Sequence, residues 1–150
     1  MEETAWKDAL AFDPDIVIIK LGTNDSKPQN WKSASEFKQD LQQMITTLCP
    51  ALAQTAKKGK KTKNAQPVKP QIYLCTPIPA FKSSWNINDA IIANEIIPIQ
   101  QEVAQQYGLQ MIDLHTLFAN DADKVQDDGI HPNQAGVRRI AEIVADAVKK

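Results

Sequence analysis

Three short apolar runs along the chain have the pattern of buried parallel strands. The first is Asp15–Leu21, which is rich in β-branched residues and lies between Pro14 and Gly22. The second is Gln71–Thr76 and the third is Leu109–Leu114. The first run is continuously apolar, which is typical of a parallel strand covered on both faces, and we predict three parallel strands from the three runs.

The segments beside these runs have the periodicity of amphipathic helices. Ser33, with Glu36 three residues later, has the capping-box pattern that opens a helix. The apolar residues that follow are spaced for one helix face: Phe37, Leu41, Met44, Ile45 and Leu48. A second helix is predicted from about Asp89 to Tyr107, and Pro98 should kink or divide it. Gly108 is the expected cap at its carboxyl end.

A last helix is predicted over Gln134–Val148, with Asn133 as its N-cap. Its buried residues are expected to be Val137, Ile140, Val144 and Val148. Thr4–Ala11 has the pattern of one further helix. Strands and helices alternate along the chain, which indicates a parallel α/β sheet with right-handed crossovers.

Composition narrows the class of protein. The 150 residues, 43% of them hydrophobic, fit a single domain over residues 1–150 with its own core. Lysine and arginine number 17 against 18 acidic residues, so no overall field attracts nucleic acid or an anionic membrane. The longest apolar stretch, Ile16–Ile19, is too short for a membrane span. Cys49 and Cys75 match no metal-ligand spacing and are expected to be buried thiols.

Residues 57–70 form a lysine-rich segment that has glycine and proline but no apolar period. We predict a solvated, flexible loop between helix and strand. A docking site for an acidic partner is the alternative. The segment has no aromatic residue on which a nucleic-acid base could stack.

Two short motifs carry the candidate chemistry. Gly22-Thr23-Asn24-Asp25 follows the first strand, and Asp128-Gly129-Ile130-His131-Pro132 precedes the last helix. Ligands of parallel sheets bind at the carboxyl ends of the strands, so both motifs are expected at one edge. The Asn24 amide can donate to an oxyanion, which is worth roughly 3–4 kcal/mol in acyl transfer. An ordinary turn remains the alternative for Asn24.

His131 is the candidate general base, since a neutral imidazole suits proton transfer near pH 7. Asp128, three residues earlier, can return its carboxylate to the ring, and Asp127 is the second choice. An Asp-Gly turn beside a helix cap is the alternative. His115 follows Asp113 by two residues and is expected to be a structural histidine. No spacing requires a metal site, and none is predicted.

With these two motifs in this order, the chain resembles the SGNH (GDSL-type) esterase and lipase family. Phe12-Asp13-Pro14-Asp15, Thr76-Pro77-Ile78-Pro79 and Ile112-Asp113-Leu114-His115 resemble its carbohydrate acetylesterases, of the sialate O-acetylesterase type. The resemblance implies a three-layer α/β/α, flavodoxin-like fold in which the three strands would be the last of five. It implies an oxyanion hole at Asn24 and Gly22, and His131 as the base, oriented by Asp128. It implies no cofactor.

The family's Gly-Asp-Ser block, which carries the nucleophile, and its oxyanion glycine block are not found in this chain. The resemblance therefore implies the carboxyl-terminal part of an esterase that is inactive alone. An exposed sheet edge would then favour self-association or a complementing chain. One alternative places the nucleophile at a resident serine: Ser26, Ser83 or Ser84. Others are a non-catalytic binding module, in which Trp85 could contact a sugar, and a flavodoxin-like small-molecule binder.

The substrate class implied by the resemblance is an acetyl or short acyl ester of a carbohydrate. The same branch of the family suggests a secreted or periplasmic protein. Residues Met1–Thr4 lack the basic and apolar regions of a signal peptide. The sequence therefore leaves the compartment open.

Overall fold

The computed structural model describes residues 4–53 and 69–149. Most of the predicted lysine-rich loop, residues 57–68, lies outside these ranges. Three strands form one parallel sheet in the order β1-β2-β3. They are β1 Ile16–Lys20, β2 Gln71–Cys75 and β3 Gln110–Ile112, each one to three residues shorter than predicted.

The longer helices lie at the predicted positions, whereas the short helix Leu114–Leu117 was not predicted, because the third strand was expected to extend to Leu114. They are α1 Thr4–Ala11, α2 Ala34–Leu48, α3 Asp89–Ile91, α4 Ile97–Tyr107, α5 Leu114–Leu117 and α6 Gln134–Val148. Short 3₁₀ turns occur at Asn24–Ser26, Ser84–Asn86 and Ala122–Lys124. The alternation of strands and helices is that of an α/β protein, as predicted.

The predicted helix ends are confirmed. Ser33 Oγ accepts a hydrogen bond from the Glu36 amide at 3.1 Å, and Asn133 Oδ1 accepts one from the Gly136 amide at 3.0 Å. The Glu36 carboxylate pairs with Lys32 Nζ at 2.9 Å. Gly108 has the left-handed conformation of a C-cap, with φ of 67°.

The regular α-helix is divided near Pro98, as predicted, but no loop separates its two parts α3 and α4. A π-helical turn, Ile92–Ile96, joins α3 to α4 directly before the proline. Since proline lacks an amide hydrogen and crowds the preceding turn, a widened turn at this point accommodates it.

Two apolar clusters cover the two faces of the sheet. On the front face, Ile72 and Leu74 of β2 pack with residues of α2 and α4. On the back face, Tyr73 and Cys75 pack with Phe118 and with residues of β3, α5 and α6. The alternation along β2 sends successive side chains into opposite layers, which gives the three-layer α/β/α arrangement.

The expectation that the first strand is covered on both faces is wrong. Ile19 is 5% exposed on the front face, but Ile16 and Ile18 are 42% and 45% exposed on the back face. In the described residues β1 is an edge strand, and α6 packs on the side of β3. β1 therefore has an apolar back face and one unpaired edge.

Val137 was expected in the core but is 55% exposed. Gly136 and not Val137 forms the buried contact here. A Cβ at Gly136 would lie only 2.1 Å from the Lys124 carbonyl oxygen. The helix therefore approaches that backbone through residue 136, and its buried face continues through Ile140 and Ile143.

Both cysteines are buried free thiols, as predicted. Burial raises the pKa of the Cys75 thiol to about 11. Beside it, the wholly buried Gln100 donates from Nε2 to the carbonyls of Leu21 at 3.1 Å and Cys75 at 3.4 Å. Gln100 Oε1 has no hydrogen-bond partner in the described part of the chain. The amide thus connects the carboxyl ends of β1 and β2.

Candidate active site

The turn after β1 requires glycine at its first position. Gly22 has φ of 116°, and a Cβ there would lie 2.8 Å from Ile96 Cγ2. The chain then enters the 3₁₀ turn, where the Asn24 carbonyl accepts a hydrogen bond from Asn30 Nδ2 at 2.8 Å. Asn24 is an exposed residue just beyond the carboxyl end of β1, the edge at which it was predicted.

The turn before α6 brings Asp128 and His131 into direct contact. Asp128 Oδ2 lies 2.7 Å from His131 Nδ1. Asp128 Oδ1 accepts hydrogen bonds from the amides of Ile130 at 2.8 Å and His131 at 3.0 Å. Gly129 allows the reversal, with φ of 73°. The carboxylate is therefore held by the ring and by two backbone amides.

The electrostatics of this turn fix the form of the imidazole. The hydrogen bond from His131, followed by those from the two backbone amides, lowers the pKa of Asp128 to about 2. An ionised carboxylate can only accept, so Nδ1 carries the proton and Nε2 is the basic nitrogen. The His131 side chain is 62% exposed, which leaves the imidazole open to solvent.

A cleft of about 380 Å³ lies between the two turns. Gly22 and Asn24 line it from one side, and Ile130 and His131 line it from the other. Trp85 also contributes to its wall and is 69% exposed, with a left-handed backbone φ of 59°. The structure therefore brings together the predicted residues of the two motifs and Trp85, and Asp128 reaches the cleft through His131.

Two of the other candidate residues, Ser26 and His115, have structural contacts, and Ser83 and Ser84 do not line the cleft. Ser26 is buried, and its Oγ donates to the Thr23 carbonyl at 2.7 Å and accepts from the Asn88 amide at 3.0 Å. His115 Nε2 lies 3.3 Å from Asp89 Oδ1. No serine or cysteine is among the residues that line the cleft. The described residues also contain no group of three or more His, Cys, Asp or Glu side chains placed to hold a metal ion.

Two features of this region were not predicted. Lys20, the polar end of an apolar strand, lines the cleft. Lys82 contacts the Asp128 turn, since its Nζ donates to the Asp127 carbonyl at 2.7 Å. The sequence contains one signal for the second contact: the glycine at position 129 marks a turn that another segment can approach closely.

The lowered pKa of Asp128 predicts a specific pH dependence of stability. An unfolded aspartate has a pKa near 3.8, so the folded state favours the ionised carboxyl. This contribution is complete above about pH 4 and is lost as the pH falls towards about 2. We expect the difference in free energy of unfolding between the wild type and Asp128→Asn to shrink across that interval, measured by urea denaturation.

Asp127→Asn is the matched control for this experiment, because it removes the same charge from the neighbouring residue. Its difference from the wild type should change much less over the same pH range. Equal pH dependence of the two variants would contradict the Asp128–His131 hydrogen bond.

Comparisons with known proteins show which family this chain belongs to. The family model of the GDSL-like Lipase/Acylhydrolase family matches residues 1–139. An acetylxylan esterase of Xylanibacter ruminicola is 70% identical over 151 residues, which cover 99% of this chain and 32% of that protein. The chain therefore spans about a third of the length of this relative.

Solved structures show the same fold at lower identity. A lipase/acylhydrolase from Enterococcus faecalis has a TM-score of 0.73 at 24% identity, covering 95% of this chain and 65% of that one. Est24, a carbohydrate acetylesterase from Sinorhizobium meliloti, has a TM-score of 0.62 at 21% identity, covering 97% and 66%. The predicted three-layer, flavodoxin-like α/β class is thereby confirmed. Since the family model covers almost the whole sequence, the chain belongs to the GDSL-like lipase/acylhydrolase family.

Proposed function

We propose that this chain carries the base, its orienting carboxylate and the oxyanion donors of a carboxylic ester hydrolase. The observation that carries the proposal is the 2.7 Å contact between Asp128 and His131 beside a cleft that Asn24 and Gly22 also line. An ionised carboxylate, a basic Nε2 and an amide donor at one cleft are the groups that acyl transfer requires besides the nucleophile.

In the proposed reaction, a serine hydroxyl attacks the acyl carbonyl of the substrate. His131 Nε2 takes the serine proton and returns it to the leaving alcohol, and Asp128 stabilises the imidazolium. The Asn24 amide and the Gly22 backbone amide bind the oxyanion. Water then cleaves the acyl-enzyme by the same route, with His131 as the base. The serine comes from outside the described cleft, because no lining residue is a serine.

The substrate we propose is an acetyl or short acyl ester of a carbohydrate. The 70% identical relative is named for acetylxylan, which is a polymer of this class. Trp85 supports the proposal from the structure, because its largely exposed indole lines the cleft. A flat aromatic surface beside an acyl-transfer site suits the apolar face of a sugar ring.

The proposed reaction predicts that turnover depends on a nucleophile from outside the isolated chain. The isolated chain should form no fluorophosphonate adduct and should not hydrolyse p-nitrophenyl acetate. The polypeptide extended at its amino end by the residues encoded upstream should do both. In that extended form, His131→Ala should lower kcat by about 10³-fold or more, and His115→Ala should lower it less than about tenfold.

Each part of this experiment has a contradicting result. An adduct on Ser26, Ser83 or Ser84 of the isolated chain would contradict an external nucleophile. Equal small losses in the two histidine variants would contradict the role of His131. No turnover by the extended polypeptide would favour a binding module that lacks catalysis.

The role of Trp85 predicts a difference between substrates. In the extended polypeptide, Trp85→Ala should raise KM for an acetylated xylo-oligosaccharide by roughly threefold to tenfold, the effect of one aromatic contact. For p-nitrophenyl acetate, which has no sugar ring, kcat and KM should remain near those of the wild type. Equal losses on both substrates would contradict a sugar contact.

We further propose that the open edge of β1 pairs with a segment outside the described residues, either upstream or on a second chain. Beside this edge, Ile16 and Ile18 on the back face of β1 and Leu21 directly after the strand are each more than 40% exposed, which is unusual for apolar residues of a parallel strand. The short span of the chain relative to its 70% identical relative supports the same proposal.

This edge predicts self-association of the isolated chain, measured by multi-angle light scattering at increasing concentration. Ile18→Lys places a charge on the exposed back face of β1 and should shift the chain towards the monomer. Val137→Lys is the matched control, because Val137 is an apolar residue of similar exposure, 55% against 45% for Ile18, but lies on α6. A wild-type chain that stays monomeric at high concentration would contradict the proposal.

A further inference from the structure

The turn that carries Asp128 is held from outside by the segment that follows β2. The Phe81 amide donates to the Gly129 carbonyl at 2.9 Å. Lys82 Nζ donates to the Asp127 carbonyl at 2.7 Å. The two accepting carbonyls belong to the residues on either side of Asp128, so the backbone of the carboxylate residue is fixed before and after its Cα.

The aliphatic part of Lys82 packs against Gly129 of the same turn. A Cβ added to Gly129 would lie 2.6 Å from Lys82 Cγ and 2.9 Å from the Lys82 backbone nitrogen. The lysine stem therefore lies directly on the glycine, and no larger residue fits between the two segments. The stem of Lys82 contacts residue 129 and its Nζ binds residue 127, so the two contacts lie on opposite sides of Asp128 along the chain.

The same segment also reaches the substrate side of the cleft. Two residues before Lys82, the Ala80 amide donates a hydrogen bond to Asp89 Oδ1 at 2.7 Å. Three and five residues beyond Lys82, Trp85 and Ile87 line the cleft. Lys82 thus stands between the cleft wall that carries Trp85 and the turn that carries Asp128.

We propose that Lys82 is a positioning residue, which holds Asp128 in place and thereby keeps the His131 ring aligned through Nδ1. The proposal rests on the proposed function for the catalytic role of His131. The contact that Lys82 acts on, Asp128 Oδ2 to His131 Nδ1, is itself a property of the isolated chain. It can therefore be tested without turnover.

The experiment measures exchange of the His131 Nδ1 proton with water by NMR on the ¹⁵N-labelled 150-residue chain. Lys82→Met keeps the aliphatic cover of Gly129 but removes the donor. It should accelerate exchange roughly threefold to tenfold, as expected for loss of one intramolecular hydrogen bond. Lys82→Arg keeps both the stem and a donor and should restore an exchange rate near that of the wild type.

Lys32→Met is the matched control, because Lys32 is another exposed lysine with one partner, Glu36, outside the cleft. It should leave His131 exchange unchanged. Amide exchange of β2, measured in the same samples, separates a local opening of the turn from global unfolding. Equal exchange rates in Lys82→Met and Lys32→Met would overturn the proposal, and so would faster exchange in Lys82→Arg equal to that in Lys82→Met.

A second readout separates this inference from the proposed function. In the extended polypeptide, Lys82→Met should lower kcat with little change in KM, since the residue acts on the base and not on the substrate. A loss confined to KM would overturn the positioning role. Faster proton exchange in Lys82→Met, with no ester hydrolysis by the unsubstituted extended polypeptide, would uphold the contact and overturn the proposed function.

Discussion

The parallel pairing of β1 with β2 is the constraint on which the site depends. Parallel strands end at the same edge, so the turn at Gly22 and the segment after Cys75 must emerge side by side. The buried amide of Gln100 reinforces this alignment, because one nitrogen bonds the carbonyls at both strand exits. Antiparallel pairing would send one of these segments to the opposite edge and would leave no cleft.

The fold was predictable where the information is local. The cap at Ser33, the C-cap at Gly108 and the division at Pro98 each depend on a few neighbouring residues, and all three were predicted. Two other features depend on which elements pack against each other: the exposure of Ile18, and the burial of Gly136 where Val137 was expected. Hydrophobic periodicity shows which face of an element is apolar but does not show what covers it.

The contacts of the candidate site were likewise predictable only where they are local in the sequence. The contact of Asp128 with His131 spans three residues across a glycine turn, so its geometry followed from the sequence. The contact of Lys82 with Asp127 joins residues 45 positions apart and depends on how the connection after β2 folds back over the last turn. Its only local sign was Gly129. Long-range contacts of flexible lysines leave little pattern in one sequence, because the same residue type is common on any solvated surface.

The buried thiol beside the strand exit has a consequence for the chemistry of the cleft. A thiol with a pKa of about 11 is ionised in only about one molecule in 10⁴ at pH 7, and the thiolate is the form that oxidants and alkylating agents attack. Cys75 is also wholly buried, as is Cys49. Cys75 therefore presents almost no thiolate in the folded protein, and we expect thiol reagents to report on unfolding of the sheet and not on events in the cleft.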